Sequence, residues 1–159
     1  MSEEEQVLIT IRKIIRATDI YSRQLSKTVG LTVPQLLVLQ AIRDLGAVAI
    51  SKISSEISLS QATVTSIIDR LEVRGLVSRR RSEADKRVVH AFLTEPGAEL
   101  LDSAPTPLQE VFRSRFDALE AWEKSMIIAS LQRVAAMMDA EQLDASPMLA
   151  VGSPDPAAS

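Results

Sequence analysis

The sequence predicts a mainly α-helical fold with a small β-hairpin, and three observations lead to that fold class. Apolar residues recur at helical spacing over most of residues 7–140. Residues 58–60 join a short helical segment to a longer one, which is the spacing of a helix-turn-helix. Two short segments rich in β-branched residues follow and enclose an arginine-rich turn, which completes a winged helix-turn-helix flanked by N- and C-terminal helices.

Length and composition limit the class of protein. A chain of 159 residues with 46% hydrophobic and 25% charged residues corresponds to one globular domain, with or without an extension. The absence of cysteine excludes disulfides, thiolate metal sites and thiol-based redox sensing. The start of the chain is acidic, unlike a signal peptide, and no apolar run approaches the ~18 residues of a membrane span, so we expect a cytoplasmic protein.

Charge is distributed unevenly along the chain, although the net charge is only −3. Residues 60–90 hold seven Lys or Arg against four Asp or Glu, whereas residues 91–159 hold four against eleven. The basic stretch coincides with the second helix of the helix-turn-helix and the hairpin that follows it. Clustered positive charge on one element indicates nucleic-acid contact more reliably than the overall charge does.

Two helices precede the helix-turn-helix. The first covers residues 7–29 and ends near Gly30, a residue type typical of a helix C-terminus. The second is capped by Thr32, has Pro34 in its first turn and ends at Gly46. Its side chains are mostly apolar, so we expect it to be buried on most sides.

The first helix of the helix-turn-helix is short. The isoleucines of residues 50–57 share one face, and the serines between them, including Ser54, are expected to face outwards. Residues 58–60 form the turn into the next helix. Ser58 with Gln61 has the spacing of a capping box for that helix, and Ser60 is an alternative cap.

The second helix of the helix-turn-helix has the composition of a DNA-reading element. Its apolar residues fall on one face, and the opposite face is centred on Ala62, Ser66 and Asp69. Short hydroxyl and amide side chains can hydrogen-bond to base edges, and a small apolar side chain can contact a thymine methyl group. An ordinary amphipathic surface helix would show a similar pattern. The residues predicted to contact DNA are Ser60, Gln61, Ala62, Thr63, Thr65, Ser66 and Arg70.

A hairpin wing is predicted from strands at residues 76–81 and 88–93, joined by a polar turn at 82–87. A run of arginines can be an ordinary solvated surface, but its position directly after a helix-turn-helix favours contact with DNA phosphates. The basic wing residues with this predicted role are Arg79, Arg80, Arg81, Lys86 and Arg87.

The C-terminal part predicts further helices with more apolar surface than a winged unit can cover. Thr94 caps the first of them, and Pro105 and Pro107 kink or break the helical pattern that continues to residue 119. A last helix carries apolar residues from Trp122 to Met138. The apolar surface at both ends of the chain indicates a partner subunit, and an intramolecular bundle is the alternative.

These elements divide the chain into four parts. We predict a dimerisation helix at residues 1–30, the winged helix-turn-helix at 31–94 and C-terminal dimerisation helices at 95–143. The remaining residues, 144–159, are rich in Ala, Ser and Pro. That composition buries too little apolar surface to order a chain, so we predict a disordered tail.

Three ordered motifs resemble the MarR family of bacterial transcription regulators. They are LTVPQLLVL at residues 31–39, LSQATVT at 59–65 with DRLE at 69–72 and RGLV at 74–77, and DKR at 85–87 with LTEPG at 93–97. The resemblance implies a homodimer whose two recognition helices read the half-sites of a pseudo-palindromic operator, typically as a repressor. It also implies wings that reach the flanking minor grooves through Asp85 and Arg87, with Asp69 pairing to the wing arginine.

Residues 15–25 and 121–140 are similar to a narrower group of MarR-like regulators, those encoded beside ectoine (compatible-solute) genes, which implies a role in stress response. The family resemblance also implies a small-molecule effector bound between the dimer helices and the winged unit. The side chains that could form this crevice are equally plausible as surface or interface residues. They are Arg16, Asp19, Tyr21 and Arg115.

Other functions find little support in the sequence. His90 is the only histidine, so we expect no metal site and no cofactor. The chain has no glycine-rich phosphate loop and no nucleophile motif with a plausible base, so we do not expect an enzyme. The alternative to DNA binding is a dimeric winged-helix module that binds protein, but the recognition helix offers few apolar residues for such a contact.

Overall fold

The structure, a computed structural model, describes residues 1–143, and the predicted tail lies outside them. The fold class predicted from the sequence is confirmed, because seven helices and three short strands occur in these residues. Their order is α1 (Glu3–Val29), α2 (Val33–Leu45), β1 (Val48–Ala49), α3 (Ile50–Ile57), α4 (Gln61–Val73), β2 (Val77–Arg81), β3 (Val89–Leu93), α5 (Glu95–Ser103), α6 (Leu108–Asp117) and α7 (Ala121–Met137).

The first two helices begin and end at residues suited to those positions. α1 starts four residues earlier than predicted, because Ser2 accepts a hydrogen bond from the Glu5 N–H at 3.1 Å and three glutamates occupy the positive end of the helix. It ends at Gly30, whose φ of 65° is easily adopted only by glycine. Thr32 caps α2 as predicted, in a reciprocal capping box with Gln35.

The hydrophobic core surrounds α2, which packs against α3, α4, α5 and β3. This burial on most sides confirms the expectation from its apolar composition. The core lies within a first compact unit, residues 1–105, so α5 groups with the winged elements. Its largest fully buried side chains are Leu25, Leu31, Leu36, Leu39, Ile42, Ile53, Ile68 and Leu71.

The hairpin belongs to a three-stranded antiparallel sheet with the strand order β1-β3-β2. β2 and β3 form the predicted wing, with Arg79 opposite Ala91 and Arg80 opposite His90. β1 was not predicted, because a strand of two residues has no detectable alternation of apolar and polar side chains. It pairs Val48 with Ala91 and so joins the start of α3 to the base of the wing.

The predicted break at the prolines is confirmed, since α5 ends at Ser103 and α6 begins directly after Pro107. A second compact unit starts at Thr106 and contains α6 and α7, neither of which has a fully buried residue. Among the described residues, no single helix combines the length and apolar character of a membrane span, and α1 with α2 reach them only when joined across a 68° bend.

Candidate nucleic-acid interface

α4 presents the predicted reading face to solvent. Gln61, Ala62 and Ser66 are exposed, whereas Thr63 and Thr65 are half-buried. The opposite face of the helix packs into the core and fixes the rotation of α4 about its axis. The buried residues on that face are Val64, Ile67, Ile68 and Leu71, as their spacing predicted.

Ser60, and not Ser58, caps α4. The Ser60 hydroxyl oxygen accepts a hydrogen bond from the Thr63 N–H at 3.1 Å and lies 2.8 Å from the Thr63 Oγ1. The capping box predicted between Ser58 and Gln61 is wrong, because Ser58 instead ends α3 in a left-handed conformation with φ of 53°. The first turn of α4 is thus fixed by a serine-threonine pair.

Ser54 holds the turn between α3 and α4. It was expected to face outwards, but it is buried, and its hydroxyl donates a hydrogen bond to the Leu59 carbonyl oxygen. The Leu59 N–H in turn donates to the Ser54 carbonyl oxygen at 3.2 Å. Ser54 lies four residues after Ile50, on the edge of the apolar face. Its spacing therefore indicated a buried position, although its polar side chain indicated an exposed one.

Arg79 connects the wing to the recognition helix. Its guanidinium lies 2.6 Å from an Asp69 carboxylate oxygen and 3.0 Å from Glu72 Oε1, and its backbone N–H donates to Glu72 Oε2 at 3.1 Å. Asp69 does pair with a wing arginine, but the expected partner Arg87 is wrong. The reason is that β2 runs beside α4, whereas Arg87 lies at the exposed tip of the wing.

These contacts also set the charge states at the base of the wing. The side-chain hydrogen bond from Arg79 holds the pKa of Glu72 below its usual value, and the same bond raises the pKa of Arg79. Both groups are therefore charged at neutral pH. Because two carboxylates face Arg79, its charge is largely compensated within the chain, unlike that of its neighbours Arg80 and Arg81.

The remaining wing cations, Arg80, Arg81, Lys86 and Arg87, are exposed to solvent. The Arg80 guanidinium lies 5.3 Å from the centre of the Phe92 ring, within the range of a cation–π contact. The tip is closed by short-range hydrogen bonds, including one from the Arg87 N–H to an Asp85 carboxylate oxygen at 3.0 Å. Asp85 therefore shapes the turn that exposes the side chains of Lys86 and Arg87.

Arg74 anchors the far end of the recognition helix and was not recognised in the sequence. Its guanidinium donates to the carbonyl oxygens of Gly30 at 2.7 Å and Val29 at 3.4 Å, which lie at the C-terminus of α1. Carbonyl groups at a helix C-terminus carry partial negative charge, so the contact is favourable. The partners are 44 and 45 residues away in the chain, beyond the reach of local patterns.

Comparisons with known proteins agree with this geometry. A family model described as the MarR family matches residues 31–89. A Bacillus subtilis protein named as the uncharacterized HTH-type transcriptional regulator YsmB is 30% identical over 112 residues, which are 70% of this chain and 77% of YsmB. This chain belongs to the MarR family. Its general function is therefore that of a DNA-binding transcriptional regulator.

Two further proteins are similar to this chain, one in sequence and one in solved structure. The Staphylococcus aureus HTH-type transcriptional regulator MgrA is 39% identical over 75 residues, 47% of this chain and 51% of MgrA. The solved structure of Bordetella bronchiseptica BpsR, whose DNA binding is described as regulated by 6-hydroxynicotinic acid, has a TM-score of 0.57 at 28% identity. That match covers 85% of this chain and 96% of BpsR. YsmB and MgrA are named as transcriptional regulators and not as enzymes.

The four residues predicted for an effector crevice in this MarR-family chain differ in burial and in their hydrogen-bond or ion-pair partners. Tyr21 is buried, and its hydroxyl donates to the Pro105 carbonyl oxygen at 3.3 Å. Asp19 forms an ion pair with Arg23 at 2.9 Å. Arg16 on α1 and Arg115 on α6 are exposed. The crevice stays a prediction, as does the link to compatible-solute genes.

His90 is half-buried on β3, paired with Ala49 on one side and Arg80 on the other. Within residues 1–143 no group of three or more His, Cys, Asp or Glu side chains is placed to hold a metal ion. His90 belongs to the sheet of the wing, and one of its two cross-strand partners is the cation Arg80.

Proposed function

We propose that this protein acts as a homodimer that binds a pseudo-palindromic operator and represses the adjacent gene. In this complex α4 lies in the major groove and the wing tip lies at the minor groove. The observation that carries the proposal is an exposed, uncharged start of α4 beside a wing with exposed cations. Uncharged polar side chains suit base edges, and cations suit phosphates. Bound protein would exclude the transcription machinery from the operator.

The cations that we propose for phosphate contact are those whose charge is not already compensated. Arg79 is held by Asp69 and Glu72, so we propose that it positions the wing on α4. Exposed side chains are free to approach the DNA backbone, and each contact contributes affinity and salt dependence. The proposed phosphate-contacting residues are Arg70, Arg80, Arg81, Lys86 and Arg87.

The homodimer is supported by apolar side chains that lack cover. Ile14, Ile15 and Ile20 of α1 are about half exposed, and so are Met126 and Leu131 of α7. Apolar surface of this extent on helices is unfavourable in water and is typical of an interface. We therefore propose that α1, α6 and α7 form the dimer. This follows the division predicted from the sequence except for α5, which groups with the winged elements.

We further propose a small-molecule effector and a role for compatible-solute genes. The support for an effector is that BpsR, which is similar over most of its length, has its DNA binding regulated by 6-hydroxynicotinic acid. The support for the gene class is the similarity of residues 15–25 and 121–140 to regulators encoded beside such genes. Binding to duplexes from those promoters, compared with unrelated promoters, tests the second proposal.

The direct test is fluorescence anisotropy of the full chain with labelled duplexes from the promoter of its own gene and its neighbours, at two salt concentrations. We expect tight, salt-sensitive binding that survives competition by random-sequence DNA. Arg87→Ala should weaken binding to every sequence and reduce the salt slope by about one. Arg43→Ala, an exposed arginine of α2 outside the proposed DNA and dimer contacts, is the matched control and should leave binding unchanged.

Equal affinity for promoter and random duplexes at both salt concentrations would contradict sequence-specific regulation. It would favour a winged-helix module that binds another protein. The exposed apolar residue at the end of α4, Val73, is 89% exposed and would then be the first position to test for a protein contact. An unchanged affinity of Arg87→Ala would instead show that the wing assignment is wrong.

A further inference from the structure

We propose that α4 selects A·T base pairs at the centre of each half-site, with Gln61 bonded to an adenine and the methyl groups of Ala62 and Thr65 against thymine methyl groups. The inference rests on the proposed major-groove position of α4. Membership of the family does not determine which base pairs α4 prefers.

The start of α4 carries no charged side chain in the region where base contacts are made. Side chains at the N-terminal end of a recognition helix contact base edges. Guanine is read mainly by Arg or Lys, and the cytosine amino group by Asp or Glu. Ser60–Ile68 contains none of these residues. The start of α4 thus lacks the side chains that favour a G·C pair.

The first charged residues of α4 do not fill this gap. Asp69 forms an ion pair with Arg79 at 2.6 Å, so its carboxylate is engaged by the wing. Arg70 lies nine residues after Gln61, which is about 13 Å along the helix axis. At that distance from the N-terminal end, Arg70 is placed for the phosphate backbone, as proposed above.

Two hydroxyl groups at the start of α4, those of Ser60 and Thr63, already form hydrogen bonds within the cap. The Ser60 hydroxyl accepts from the Thr63 N–H at 3.1 Å and lies 2.8 Å from the Thr63 hydroxyl oxygen. The bond between the two hydroxyl groups uses one of their two protons, and the Ser60 oxygen also accepts from the Thr63 N–H, so both groups are largely committed to the cap of α4. Base reading therefore falls to the exposed Gln61 and Ala62, with Thr65 and Ser66 one turn further on.

These side chains match an A·T pair. A glutamine amide has one donor and one acceptor group in the geometry required by adenine N7 and N6. Gln61 and Thr65 are one helical turn apart, about 6 Å, which is close to two base steps of about 3.4 Å. An adenine under Gln61 and a thymine methyl under Thr65 can therefore lie within two base pairs of each other.

The test starts from selection of bound duplexes out of a random-sequence pool by the full chain. Each A·T pair of the selected half-site is then replaced by G·C, and wild type is compared with Gln61→Ala. At one position we expect wild type to lose roughly 5- to 150-fold in affinity and Gln61→Ala to lose less than about twofold. Gln142→Ala, an exposed glutamine beyond the end of α7, is the control and should behave as wild type.

Duplexes with modified bases test which atoms of the base pairs are contacted by α4. A 7-deazaadenine at the Gln61-dependent position removes the N7 acceptor and should weaken wild type several-fold while leaving Gln61→Ala unchanged. Uracil in place of the neighbouring thymine removes one methyl group and should cost about fourfold.

Three outcomes would overturn the proposal. If the Gln61-dependent position is a G·C pair, or if Gln61→Ala keeps the full discrimination of wild type, A·T selection by Gln61 is wrong while operator binding stands. If the random pool yields no preferred sequence at all, the proposed function is overturned together with it.

Discussion

The winged unit and the C-terminal helices use the same apolar periodicity but differ in what covers their apolar side chains. In the winged unit, α2 and α4 bury their apolar faces within the chain. α6 and α7 contain no fully buried residue, and Trp122 and Leu131 of α7 are 66% and 53% exposed. Periodicity therefore predicts that a helix forms, but it does not tell whether the apolar face is covered by the same chain or by another.

The largest effect on stability is expected in the core of the winged unit. Leu39 on α2 is completely buried. Leu39→Ala removes that contact and leaves a cavity, so we expect the free energy of unfolding to fall by about 2–5 kcal/mol. Urea denaturation followed by circular dichroism measures the change. Val73→Ala, at an exposed position, should change stability by less than about 0.5 kcal/mol, and a similar loss for both would contradict this description of the core.

The second prediction concerns the exposed face of α7. Leu131→Glu places a charge in the proposed dimer interface, and we expect the dimer dissociation constant to rise about 30-fold or more, equivalent to roughly 2 kcal/mol. Analytical ultracentrifugation over a range of protein concentrations gives this value. Gln132→Glu introduces the same charge at the next position and serves as the control. If Leu131→Glu associates like wild type, this part of α7 is not the interface.

The third prediction concerns the ion pairs between α4 and the wing. Because the pKa of Glu72 is lowered in the folded chain, its contact with Arg79 contributes stability above the unfolded-state pKa of Glu72. That contribution is lost as the pH falls through the lowered folded-state value. Glu72→Gln should therefore lose less stability than wild type between about pH 6 and pH 3.

The expected difference is below about 1 kcal/mol, since both carboxylates around Arg79 are partly exposed. Urea denaturation at a series of pH values measures it. The control is Glu110→Gln, which changes an exposed glutamate of α6 and should follow the pH profile of wild type. A Glu72→Gln profile identical to wild type would mean that the ion pair adds no stability.

The smallest effect is expected at two residues with left-handed backbone, one in each region. Ser58 has φ of 53° between α3 and α4, and Asp139 has φ of 54° after α7. Ser58→Gly relieves this conformation and should stabilise the fold by a few tenths to about 1 kcal/mol. Asp139→Gly should change stability less, because aspartate tolerates this conformation and the residue lies outside the core. Thermal denaturation of both variants measures the two changes in stability. A larger change for Asp139→Gly than for Ser58→Gly would contradict this prediction.

Much of the fold and part of the geometry of the candidate interface could be predicted because the responsible contacts are local. The caps at Thr32 and Thr94, the glycine at residue 30 and the break at the prolines act within a few residues of the chain. The buried face of α4 followed from helical spacing alone. The choice between Ser58 and Ser60 as the cap could not be made, because both have suitable neighbours and the conformation of the turn decides between them.

The sequence alone thus determined where helices start and stop, which face of α4 is apolar, and where positive charge concentrates, since each depends on neighbours within about one or two turns. Tertiary structure decided which groups meet across the chain. Asp69 pairs with Arg79, Arg74 binds the end of α1, and Val48 pairs with Ala91. Such contacts depend on the packing of whole elements against a shared core, which no local pattern of residues encodes.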